Sequence, residues 1–146
     1  NDISGLTFDS AMIPLAAESK AGVICMHIQG TPQTMQENPV YDDVVADLKS
    51  WFQMRVQALL EAGVEPERIV LDPGVGFGKT ADHNLQILSQ ISSFQELGFP
   101  VLIGRFCGSR KSGGRNLKAA RYRRQPGCHR CLAGCDFPRH NIIQSD

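Results

Sequence analysis

The sequence lacks several features that would have assigned it to a particular class of protein. No apolar run approaches the ~18 residues that a membrane-spanning helix needs, so we expect no membrane partner. No basic stretch followed by an apolar one opens the chain, so nothing indicates a secretion signal. An initiator Met is also missing, and we expect the natural start to lie upstream. The 146 residues suffice for one ordinary domain.

Basic residues are scarce in the first part of the chain and abundant in the last. Residues 1–104 hold five Lys or Arg and thirteen Asp or Glu, a balance of −8, whereas residues 105–146 hold ten and two, a balance of +8. Four of the five cysteines also lie in the second stretch. Such an abrupt change predicts a boundary after residue 104.

Short apolar runs alternate with amphipathic stretches along residues 1–104. The pattern predicts the end of a strand at 1–4, strands at 23–28, 68–72 and 100–104, and helices at 11–20, 41–62 and 83–97. Leu85, Leu88 and Ile91 are expected to face inward in the last helix. Repeated βα units of this kind are typical of an α/β fold with a parallel sheet. They fit about half of a (β/α)₈ barrel or part of a doubly wound sheet, and the pattern does not separate the two.

Polar residues follow each predicted strand. Asn1 and Asp2, His27, and Asp72 stand at strand ends, and a further segment follows Gly104. The carboxyl ends of parallel strands carry the chemistry in α/β proteins. We therefore expect these side chains to meet at one rim.

The strongest local signal is the glycine-rich stretch from Leu71 to Thr80. Its end resembles a nucleotide phosphate loop, but Pro73 stands where the leading glycine of that motif should be. A tight turn in which Asp72 caps a helix is one explanation, with glycines that let the backbone approach a ligand closely. The functional alternative is a buried Asp72 carboxylate that accepts two N–H donors from a heterocycle such as guanine or a pterin.

The second signal runs from Cys25 to Gln36. A lone histidine after a strand is more often a structural hydrogen-bonding group than a catalyst, and we expect this of His27. A place in the core is one explanation for Met26; its position at a strand end also suits stacking on a flat ring, because thioethers pack well against aromatic faces.

These motifs together resemble the dihydropteroate synthase family in order and spacing. The resemblance rests on residues 1–6, 26–36, 41–44 and 72–79, runs without a gap to Gly104 and continues more weakly to Ser112. It implies a partial (β/α)₈ TIM barrel, entered at the end of its fourth strand. It also implies a cytoplasmic transferase, a homodimer, that joins 7,8-dihydropterin-6-ylmethyl diphosphate to p-aminobenzoate, with Mg²⁺ on the diphosphate.

The resemblance also implies roles for particular residues. Asn1 and Asp72 correspond to the residues that hydrogen-bond the pterin edge, and Ile3 and Met26 to apolar walls of the pterin slot. Phe77 corresponds to the ring beside the p-aminobenzoate site. Of the stretch from Ser109 to Ser112, the family's Lys, here Lys111, contacts the pterin, and a Ser lies near the aminobenzoate carboxylate. Another pterin-binding barrel, such as a methyltetrahydrofolate methyltransferase, is the alternative.

Residues 105–139 depart from the family pattern. The joint rise of Arg, Cys, Gly and Pro is typical of a GC-rich gene translated out of frame, and a shifted frame from Cys128 to Arg139 permits an apolar helix. We therefore expect a degraded or frameshifted continuation of the domain, and a chain that is inactive by itself. The rival interpretation is a basic zinc-binding module around Cys128, Cys131 and Cys135. Under the family interpretation no nucleic-acid partner is expected.

Overall fold

A computed structural model of the chain describes residues 1–104. The helices are α1 (Met12–Ser19), α2 (Val44–Glu61), α3 (Ala81–Ser89) and α4 (Ile91–Gln95). The strands are β1 (Val23–Met26) and β2 (Ile69–Asp72), and a 3₁₀ turn (Pro66–Arg68) precedes β2. The alternation of strands and helices is confirmed, so the described region is α/β. The proposed boundary at residue 104 and the second segment, 105–146, lie at and beyond the limit of the described residues.

The sheet is parallel, and its segments lie side by side in chain order. β1 and β2 pair in register from Val23 opposite Ile69 to Met26 opposite Asp72. Two single parallel bridges extend the sheet, one from Asp2 to Cys25 and one from Leu71 to Val101. The order is therefore Asp2, β1, β2, Val101, and no change of order occurs among these four segments.

The helix ends are set by local capping. α2 begins at Val44, later than predicted, because the Asp43 carboxylate accepts hydrogen bonds from the amides of Val45 and Ala46. α1 ends at Ser19, before Gly22, because Lys20 adopts a left-handed conformation with φ of 58°. The ends of α1 thus differ from the prediction by one residue each, and the start of α2 by three.

The predicted helix 83–97 differs from the structure in extent and in phase. Thr80 caps α3 through the amide of His83, and the helix stops at Ser89 before α4 begins. The prediction that Leu85 and Leu88 face inward was wrong, because 62% and 44% of their surfaces are exposed. The cap starts the helix earlier than predicted, and the face turned toward α2 carries Ile87 instead, which is fully buried.

The core lies between one face of the sheet and the helices. Leu48, Phe52 and Leu59 on α2 are fully buried against Cys25, Ile69 and Leu71 of the strands. The Phe52 ring meets that of Phe94 edge to face, with centroids 6.2 Å apart. In the part of the chain that the structure describes, no helix is long and apolar enough to cross a membrane.

Candidate functional site

The strand ends meet at one edge of the sheet, as the sequence predicted. Met26 and Asp72 are the last residues of β1 and β2 and are direct register partners. Ile3 comes immediately after Asp2, whose bridge to Cys25 brings it to the same level as Met26. Side chains of register partners in a parallel sheet point to the same face. The edge therefore brings Ile3, Met26 and Asp72 together.

Asp72 is a buried carboxylate with part of its hydrogen-bonding capacity unused. Its Oδ1 accepts the amide of Gly74 at 2.8 Å. No described residue donates to Oδ2, and a Cβ built on Gly104 would lie 3.8 Å from that oxygen. Burial raises the pKa of Asp72 above its usual value, while the Gly74 amide and the Lys79 charge oppose the increase. Asp72 can therefore accept hydrogen bonds from a ligand that reaches the rim.

The neighbours of Asp72 at the rim are apolar or structural. Met26 is buried, and its Cγ lies 3.3 Å from the position that a Cβ on Gly74 would take. Ile3 is half-buried and Asn1 is exposed. The adjacent Asp2 has a structural role, because its Oδ1 accepts the Ser4 amide, the Ser4 hydroxyl and the Leu6 amide. These bonds close the turn that follows the first strand segment.

The glycines of the loop that follows β2 serve backbone packing more than ligand approach. A Cβ on Gly74 would lie 2.1 Å from the carbonyl oxygen of His27, and one on Gly78 would lie 2.8 Å from that of Gln29. Both glycines have positive φ angles, 65° and 62°. Gly76 also has a positive φ, 91°, but a Cβ there would meet nothing within 4 Å. The expectation of close approach to a ligand therefore applies only to Gly76.

Phe77 lies at the middle of this loop and is half-buried. Its amide donates to the carbonyl of Gly74 at 3.0 Å, which closes a tight turn. Its own carbonyl accepts the ammonium group of Lys79 at 2.9 Å. The backbone on both sides of the ring is thus fixed by hydrogen bonds.

Lys79, which was not predicted to be a site residue, is only 3% exposed. Its Nζ lies 3.1 Å from Nδ1 of His27 and 3.3 Å from the carbonyl oxygen of the same residue. Burial lowers the pKa of Lys79 to about 7, and Asp72 acts against this decrease. Burial and the Lys79 charge lower the pKa of His27 to about 3, so His27 is neutral at physiological pH. The buried and hydrogen-bonded ring is consistent with the structural role expected of His27. The sequence did contain a signal for Lys79, because this lysine ends a loop that holds three glycines and follows Asp72.

Comparison with known proteins decides the family. The family described as "Pterin binding enzyme" matches residues 1–135. The chain belongs to the pterin-binding enzyme family. Its match extends past Ser112, farther than the sequence motifs indicated.

Individual members of the pterin-binding enzyme family are similar to the chain in sequence and structure. A dihydropteroate synthase of Synechocystis is 46% identical over 112 residues, which is 77% of this chain and 38% of the relative. A dihydropteroate synthase structure from Stenotrophomonas maltophilia superposes with a TM-score of 0.69 at 42% identity, covering 72% of this chain and 39% of that one.

A second structure, from Xanthomonas albilineans, contains 7,8-dihydropteroate. It has a TM-score of 0.63 and 34% identity, and the match covers 70% of this chain and 36% of that one. The same Xanthomonas protein was also solved with 4-aminobenzoic acid. The chain thus spans a little over a third of the length of the relatives that it matches.

The resemblance implies Mg²⁺ on the diphosphate of the substrate. Among residues 1–104 no group of three or more His, Cys, Asp or Glu side chains could hold a metal ion. The Asp2 oxygen that could have contributed is already bound to Ser4 and Leu6. Ser109, Lys111 and the cysteines of the zinc alternative lie outside the described residues.

Proposed function

We propose that this chain is part of a dihydropteroate synthase and supplies four consecutive strands of a (β/α)₈ TIM barrel. The four parallel segments in chain order, with helices between them, support the barrel. The named relatives support the reaction, in which 7,8-dihydropterin-6-ylmethyl diphosphate and p-aminobenzoate give 7,8-dihydropteroate and pyrophosphate. Comparison favours this reaction over that of a methyltetrahydrofolate methyltransferase.

The observation that carries the proposal is Asp72, buried at the end of β2 beside Met26. A carboxylate can accept paired N–H donors from the edge of a pterin, in the geometry that makes bidentate charged hydrogen bonds strong. The Met26 thioether and the half-buried Ile3 offer apolar surface to the faces of the ring. Asn1, exposed two residues before Ile3, is proposed as a second polar contact.

The chemistry requires positioning more than a reactive side chain. The ring nitrogens of the pterin push electron density toward its methylene group as the diphosphate leaves, and the amine of p-aminobenzoate then bonds to that carbon. The protein holds the ring, orients the amine and excludes water. The nearby thiol is unsuited to nucleophilic attack, because burial raises the pKa of Cys25 to about 12.

Several finer features belong to the same proposal. Lys111 is proposed to contact the pterin, a serine such as Ser109 the aminobenzoate carboxylate, and Phe77 to lie beside the aminobenzoate ring. Mg²⁺ is proposed to be carried by the diphosphate of the substrate. The whole protein is proposed to be a cytoplasmic homodimer.

The test uses a complete barrel in which residues 1–104 replace the matching segment of the Synechocystis dihydropteroate synthase, called here the completed barrel. Asp72→Asn should weaken pteroic acid binding by several kcal/mol, because one acceptor becomes a donor that faces a donor. Isothermal titration measures the affinity, and Asp42→Asn, at an exposed position, is the matched control. Unchanged affinity in Asp72→Asn would remove Asp72 from the site. Absence of dihydropteroate formation by the unmodified completed barrel would refute the proposed activity.

A further inference from the structure

The amino group of Lys79 is buried in the protein interior, where lysine side chains are rare. Lysine is almost never fully buried unless its ammonium is compensated by hydrogen-bond acceptors or a counter-charge. Here the ammonium has three acceptor atoms within 3.3 Å: Nδ1 of His27, the His27 carbonyl and the Phe77 carbonyl. Two of these belong to His27, the first residue after β1, and one to the loop after β2. The side chain therefore joins two segments that are about fifty residues apart in sequence.

The contact to His27 fixes the state of that ring. When Lys79 is charged, its ammonium group can only donate, so Nδ1 of the neutral His27 ring accepts and the ring proton lies on Nε2. The His27 ring in turn meets the edge of Trp51, with centroids 4.8 Å apart and planes at 85°. Lys79 is thus supported by a ring that is itself held by α2.

The glycine-rich loop is held at three successive carbonyls by side chains. The Gln36 amide donates to the carbonyl of Gly76, Lys79 donates to that of Phe77, and the Tyr41 hydroxyl donates to that of Gly78. Gln36 is exposed and Tyr41 is half-buried, whereas Lys79 is buried. A hydrogen bond from a buried group is screened less by water than one from an exposed group. The bond from Lys79 to the Phe77 carbonyl is therefore the best shielded of the three.

We propose that Lys79 is a positioning residue that holds the glycine-rich loop, and with it the Phe77 ring, in the place where the second substrate binds. The substrate assignment rests on the proposed function, in which p-aminobenzoate lies beside Phe77. Lys79 acts through the Phe77 carbonyl and does not touch the reacting atoms. Without its donors, the three glycines of the loop would allow the Phe77 backbone to move relative to Asp72.

The first experiment compares steady-state kinetics of the completed barrel with and without Lys79→Met, which has similar length and no donor. The KM for p-aminobenzoate should rise at least tenfold, while kcat at saturation stays within threefold. Lys20→Met is the matched control, because 68% of the Lys20 side chain is exposed, and it should leave both constants unchanged. An unchanged KM, or a fall in kcat alone, would overturn the proposal.

A second variant and a second measurement keep the test decisive. If Lys79→Met does not yield folded protein, Lys79→Gln retains an N–H donor and should raise the KM about threefold; an unchanged KM again overturns the proposal. Hydrogen–deuterium exchange of the amides in residues 74–78 needs no activity. Faster exchange in the Lys79 variant than in the Lys20 variant supports the proposal even if the completed barrel forms no dihydropteroate, and equal exchange overturns it.

Discussion

The two loops at the rim differ in length, burial and the way they are held. The loop after β1, residues 27–43, is long, and most of its residues from 30 to 40 are exposed. The loop after β2, residues 73–80, is short, and Pro73, Gly74, Gly78 and Lys79 are buried. The short loop packs directly on the backbone of the long one at His27 and Gln29.

The short loop is held more firmly than the long loop, which lies over it on the outside. Buried backbone contacts and the Lys79 ammonium hold the short loop, whereas side-chain bonds from Gln36 and Tyr41 connect the long loop to it. Segments with few buried contacts and exposed hydrogen bonds open at lower free energy than the rest of a fold. We therefore expect changes in the short loop to cost more stability than changes in the long one.

The largest effect is expected from Gly74→Ala in the completed barrel. The added Cβ would meet the His27 carbonyl at 2.1 Å, a contact that only a shift of backbone can relieve. The expected loss is about 3 kcal/mol or more of unfolding free energy, from steric overlap added to backbone strain. Urea unfolding followed by circular dichroism measures it.

Gly76→Ala is the matched control for that substitution. Its φ is also positive, so the backbone strain is of the same kind, but a Cβ at Gly76 meets nothing within 4 Å. The expected loss is about 1 kcal/mol. Equal losses at the two positions would show that the contact between the loop and β1 is not the source of rigidity.

Acid should weaken the junction between the loops. The pKa of His27 is about 3 in the folded protein and near its usual value of 6.5 in the unfolded chain. Between these values the unfolded state binds more protons, so stability falls as pH decreases from 6.5 toward 3. His27 contributes a loss of about 2 kcal/mol between pH 6.5 and 5.

His27→Gln should flatten that part of the stability profile, measured by thermal unfolding at a series of pH values. The raised pKa of Asp72 acts in the opposite direction, because its folded form binds a proton more readily than its unfolded form. A profile for His27→Gln that is as steep as that of the unmodified protein would argue against a neutral buried His27.

The smallest effect is expected from Tyr41→Phe. This change removes only the hydroxyl that donates to the Gly78 carbonyl at 2.8 Å, and leaves the ring against His83, 5.0 Å away between centroids. The expected loss is about 1 kcal/mol of unfolding free energy, the usual net value of one hydrogen bond. A loss as large as that of Gly74→Ala would mean that the long loop, and not the short one, carries the rigidity of the rim.

The parts of the structure that could be predicted depend on neighbours in sequence or on sheet geometry. Continuous apolar runs gave β1 and β2, and parallel geometry alone placed Asp72 beside Met26. The inward face of α3 could not be predicted. The Thr80 cap fixes the residue at which the helix begins, and packing against α2 then buries Ile87 and leaves Leu85 exposed.

The role of Lys79 could not be predicted for a different reason. Its acceptors on His27 lie 52 residues earlier in the chain, so no local pattern contains the contact. The same holds for Gly74. A side chain is excluded there by the His27 carbonyl, which is distant in sequence and close only in the folded structure.

The side chain of Gln29 forms both hydrogen bonds that a backbone partner would form with Val40. Its amide nitrogen donates to the Val40 carbonyl and its oxygen accepts the Val40 amide, each at 2.9 Å. The ten residues between them are thereby closed into a ring, and Gln36 connects that ring to the Gly76 carbonyl. A peptide inserted at an exposed position of the ring other than Gln36 should leave both ends and the bond to Gly76 in place.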